Sequence, residues 1–117
     1  MPDYLFLMHD DAPARSVEEG EEDWDGYVRR LQASGNFHGG SAIGGGLCVR
    51  KDGGVRPITA HLAGYIRITA RDLRHAEALL RDNPVFENGG TVEIRELPRT
   101  DWADAIDRWP SQVARLD

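Results

Sequence analysis

Residues 64–98, GYIRITARDLRHAEALLRDNPVFENGGTVEIRELP, constrain the fold more than any other stretch, because they read without gaps as strand, helix, turn and strand. Tyr65-Ile66-Arg67-Ile68 alternates in character, and the run from Thr91 to Leu97 repeats that period of two, the mark of a sheet with one buried face. Between them Asp72 is placed to cap a helix carrying Leu73, Ala76, Leu79 and Leu80 on its inner side. Asn83-Pro84 stops that helix, since the residue before a proline is pushed out of helical geometry. Gly89-Gly90 then supplies the turn into the last strand.

The first half supplies the remaining elements. Tyr4-Leu5-Phe6-Leu7-Met8 is a continuous apolar run, as expected of a central strand buried on both sides. Trp24, Tyr27, Val28 and Leu31 fall at i, i+3, i+4 and i+7, which predicts a helix ending near Ser34-Gly35-Asn36. Glu21, Glu22 and Asp23 in its first turn and Arg29 and Arg30 near its last complement the helix dipole. From Phe37 to Gly46 five glycines surround His38, predicting a bent or bulged strand. A phosphate cradle would need the Lys-Ser/Thr ending of a P-loop or a dinucleotide-type spacing, and neither is present. Leu47–Arg50 is expected to pair with residues 55–59 through the Lys51-Asp52-Gly53-Gly54 turn. Strand, helix, strand-rich middle, helix, strand is the order of an α+β ferredoxin-like sandwich, an antiparallel sheet with its helices on one face.

The Gly64-Tyr65 strand, helix, Asn83-Pro84 corner and Val92-Glu93-Ile94-Arg95 strand resemble the C-terminal half of the YciI-related (YCII) proteins, particularly the DGPF-domain branch. That resemblance implies a dimeric α+β barrel, in which the open faces of two sheets pack together. It also implies a strand-end Asp paired with a His on the first helix, suited to proton transfer on a small carbonyl- or lactone-bearing molecule. Asp10 matches the Asp, but Trp24 stands near the place of the helix His. Arg56-Pro57-Ile58-Thr59-Ala60-His61 replaces the name-giving Asp-Gly-Pro-Phe motif.

The chain has 117 residues, enough for a single domain spanning 1–117. A net charge of −6, with acids gathered between Asp10 and Asp25, repels nucleic-acid backbones rather than displacing their counterions. The sequence shows neither a membrane-length apolar run nor a basic, apolar leader, so a cytoplasmic location is expected. The single cysteine, Cys48, lies in an apolar setting that predicts a buried, inert thiol. Trp102, Ile106 and Trp109 form an apolar stripe in the tail (residues 100–117), expected to be a short helix packing on the partner subunit of a homodimer.

The candidate catalytic residues are Asp10 and His38, with His9 as the rival imidazole. Each histidine also has a plain structural reading, exposed or bonded to backbone. Tyr65, Glu93 and Arg50 are candidate ligand contacts, and Arg67 and Arg95 share their strands. Cross-strand Arg–Glu pairing on a solvent face accounts for the same pattern. His75 is expected to be solvated on its helix. No metal-ligand spacing or nucleophile motif is present, and no cofactor is implied. The sequence therefore leaves open a small enzyme using His/Asp acid–base chemistry, a non-catalytic small-ligand-binding or regulatory homodimer, and a purely structural subunit.

Overall fold

A computed structural model describes residues 1–13, 21–54 and 56–98. In chain order these form β1 (Asp3–His9), α1 (Glu21–Ala33), β2 (Phe37–Ala42), β3 (Leu62–Thr69), α2 (Leu73–Ala78), α3 (Pro84–Glu87) and β4 (Val92–Leu97). The strands make one antiparallel sheet in the order β2-β3-β1-β4. This is the ferredoxin-like α+β arrangement, with β1 central as its apolar run predicts, but its burial alternates, Leu5 and Leu7 being only half-buried, where burial on both sides is expected. The tail stripe Trp102, Ile106 and Trp109 lies outside the described residues.

Alternation along the strands divides the sheet into two faces. Tyr4, Phe6 and Met8 of β1 and Ile66 and Ile68 of β3 are buried against Tyr27 and Leu31 of α1, Ala76 of α2 and Val85 of α3, with Leu80 following α2. Each fully buried large side chain, such as Phe6 or Ile68, stabilises the fold by about 1.5–3 kcal/mol. The other face carries Leu5 and Leu7, both half-buried, together with polar and charged groups.

Local chemistry sets the ends of the elements. Gly35, at φ +80°, ends α1 in a left-handed turn, where its N–H bonds the Gln32 carbonyl and that of Asn36 reaches Leu31. The Asn36 side chain also donates to the Thr69 carbonyl at 2.7 Å, tying the helix end to β3. Asp72 caps α2 by accepting from the His75 N–H at 2.8 Å, as expected. His75 Nδ1 in turn accepts from the Arg71 N–H at 2.9 Å, so this imidazole is built into the cap.

Four expectations need correction. α2 ends at Ala78, with Leu79 as its cap, before Asn83-Pro84 is reached; Asn83 instead caps α3 by accepting from the Phe86 N–H, and Pro84 fills a first-turn position where its missing donor costs nothing. Leu73 is exposed rather than inward, because it opens α2 ahead of the turn that touches the core. The expected hairpin over residues 47–59 is reduced to one bridge, Cys48 to Arg56, and Cys48 is exposed with its thiol donating to the Pro57 carbonyl at 3.4 Å. Leu47 and Val49 on this arm are more than three-quarters exposed, so no core forms there to bury the thiol.

Candidate functional site

A cavity of about 470 Å³ lies between α1 and the β2–β3 edge of the sheet. It exists because the residues under this part of the helix are small. Ala42 pairs with Gly64 and Gly40 with Ile66, so two glycines and an alanine occupy adjoining places in the sheet. A methyl group on Gly40 would come within 2.6 Å of the Tyr65 carbonyl, and one on Gly64 within 3.1 Å of the Ser41 carbonyl. Backbone therefore forms the floor, and any side chain there would force the strands apart. β2 reaches this position through a bulge between Phe37 and Gly40, with Gly39 at φ +117°, where a left-handed backbone favours glycine.

Trp24 and Val28 project from α1 onto the cavity, met by Phe37, Met8, Ile66 and Val85. The Trp24 ring lies edge-on to Tyr27, with centroids 6.2 Å apart. Tyr27 is itself buried, and its hydroxyl donates to the Leu79 carbonyl at 2.8 Å, which anchors the wall. Burial pushes the Tyr27 phenol up to about 12, although neighbouring Asn83 and Arg30 act in the opposite sense. Among the described residues no acidic, basic or imidazole side chain lines the cavity; Ser41 and Tyr65 border it through their strands, because Ile66 and Ile68 turn to the helices while Tyr65 and its partner Ser41 alternate to the open face with Leu7.

A separate polar cluster occupies the open sheet face at the end of β1. His9 Nε2 lies 3.3 Å from Glu93 Oε1 on the neighbouring β4, and the His61 ring meets His9 edge-on at 4.7 Å. The Arg95 guanidinium, donating to Glu93 at 2.8 Å, holds that carboxyl below its usual range; burial opposes this and the His9 contact adds to it. In the tautomer with the proton on Nε2, the ring donates to the ionised Glu93 and Nδ1 is the proton acceptor. Backbone bonds from His9 N to Thr91 O and from Asp10 N to His61 O fix the surrounding chain. Asp11 locks the same corner: its carboxylate accepts from the Thr91 hydroxyl at 2.6 Å and the Thr91 N–H at 2.8 Å. Those bonds depress its pKa, against the effect of burial.

The structure does not bring Asp10 and His38 together. His38 bonds Thr69 at 3.2 Å, and Thr69 pairs with Asp3 at the opposite end of β1 from Asp10. Seven strand residues at about 3.3 Å each put roughly 20 Å between the two. His9 finds Glu93 in their stead. Arg50 ion-pairs with Asp52 at 3.1 Å in the arm turn, outside the cavity. The Tyr65 strand borders the cavity while its side chain alternates to the open face beside Leu7, and Glu93 belongs to the open-face cluster. Arg95 bonds Glu93 along its own strand rather than across strands, and Arg67 reaches Asp3 across strands at 3.5 Å. His61, Gly40 and Gly64 gain their places only through strand register, which a single sequence does not display.

No family model matches the chain, and no curated protein matches it. Among solved structures, it is similar to 5-chloro-2-hydroxyhydroquinone dehydrochlorinase from Burkholderia phenoliruptrix AC1100 in complex with 2,5-dihydroxybenzoquinone. The match has a TM-score of 0.52 at 12% identity and covers 84% of this chain and 95% of that one. At that identity the likeness concerns the fold, and it supports the α+β assignment.

Proposed function

We propose that this chain is a small-molecule-binding subunit of a cytoplasmic homodimeric α+β barrel, in the manner of the YciI-related proteins, with its ligand beneath α1. The observation that carries this reading is the cavity of about 470 Å³ walled by Trp24, Val28 and Phe37 over a backbone floor, within the size range of ligand sites. The dimer rests on the open sheet face, where Leu5 and Leu7 flank the charged pairs and are covered by a second copy. A fragment library titrated into labelled protein tests the site: hits are expected to move the amides of Gly40, Ala42 and Gly64. The reading fails if no fragment moves them at millimolar concentration.

A second reading is favoured by the His9–Glu93 contact of 3.3 Å. Covered by a partner sheet, that pair would act as a general base on a small organic substrate. The compounds named with the dehydrochlorinase, 5-chloro-2-hydroxyhydroquinone and 2,5-dihydroxybenzoquinone, are the first probes of this activity. Turnover of the former that is lost in His9→Gln would favour catalysis. Binding without turnover would leave the binding reading in place.

A further inference from the structure

We infer that the cavity beneath α1 selects neutral molecules with a flat, largely apolar ring system and rejects carboxylates and phosphates; this rests on the cavity being the ligand site. Among the described residues, no Lys, Arg or His lines it to meet a negative charge. An anion entering it would lose water and meet no cationic side chain among the described residues, in a chain of net charge −6. A cation would find no carboxylate among those residues either.

Shape supplies the second half of the argument. Gly40 and Gly64 leave peptide planes as the floor, and Trp24 supplies a broad wall held by its edge contact with Tyr27. A flat ring between such surfaces meets atoms on both sides without the rotamer loss that a flexible alkyl chain suffers on binding.

Calorimetry with 2-naphthol, 2-naphthoate and 1-octanol tests the assignment. 2-Naphthol is expected to bind, with 2-naphthoate at least tenfold weaker and 1-octanol also weaker. Trp24→Ala should weaken 2-naphthol at least fivefold, while Trp24→Phe, which keeps a ring and guards against a folding artefact, should restore most of the affinity. Equal or tighter binding of 2-naphthoate overturns the ligand class while leaving the site standing. Binding by none of the three overturns the site and the class together. An unchanged affinity in folded Trp24→Ala removes the wall from the argument and refutes the inference.

Discussion

Replacing Tyr27 with Phe removes one oxygen from the best-anchored side chain of α1 and tests how that helix is held over the cavity. Tyr27 is 1% exposed, and its hydroxyl donates to the Leu79 carbonyl at 2.8 Å, joining α1 to the end of α2. The ring, its burial and its edge contact with Trp24 all remain in the variant, so the change isolates the hydrogen bond. A neutral bond of this kind contributes about 0.5–1.5 kcal/mol net, and a carbonyl sealed from water costs more when orphaned. Leu79 is half-buried and borders a surface groove shared with Ser34, Arg81 and Asp82, so the loss should stay near the usual value of about 1 kcal/mol. That corresponds to a melting temperature lower by about 3–6 °C for a chain of this size. The sign against pH follows from the phenol pKa, raised from 10.0 to about 12. The neutral phenol favours the fold below pH 10, and that stability is lost as pH rises through about 12. Thermal melts of both proteins from pH 7 to 12 are the assay, and the wild type should lose its advantage over Tyr27→Phe above pH 10. A variant as stable as the wild type at pH 7, with the same alkaline profile, would refute the role given to this bond.

Other perturbations separate the remaining parts of the account. Gly40→Ala places a methyl 2.6 Å from the Tyr65 carbonyl, so β2 must move off β3; a lowered melting temperature is expected, and an unchanged one would contradict the close approach. Asn83→Ala removes the cap of α3 and should cost about 1–2 kcal/mol in urea unfolding. The Asp11 pKa is depressed by Thr91, so its stabilisation is present above the ordinary carboxylate range and is lost as pH falls through the folded value. Thr91→Val, which deletes the hydroxyl donor, should flatten that acid limb in melts from pH 6 to 2. Light scattering should give twice the chain mass of 13.0 kDa at micromolar concentration, and a clean monomer would remove the dimer.

The elements were legible wherever neighbouring residues carry the information. The Asp72 cap, the α1 stripe through Tyr27 and Leu31, the bulged glycine strand and the alternation in β3 and β4 all depend on contacts within a few positions. The site was less legible because it depends on register. Nothing near His9 in sequence announces Glu93, 84 positions away, and Gly40 and Gly64 make a cavity floor only because their strands align. Asp10 and His38 both sit at strand ends, but β1 and β2 run parallel on either side of β3, so the end of one lies beside the end of the other and not its beginning. Cys48 read as buried because its neighbours are apolar, yet the arm holding it projects from the core that would have covered them.

Intermolecular NMR contacts between bound 2-naphthol and the protein test the central claim most directly. The account predicts contacts from the naphthol ring to the Trp24 indole, the Val28 methyls and the Met8 methyl, with His9 and His61 unaffected. Contacts to the His9–Glu93 cluster on the open sheet face, with none to Trp24 or Val28, would contradict it.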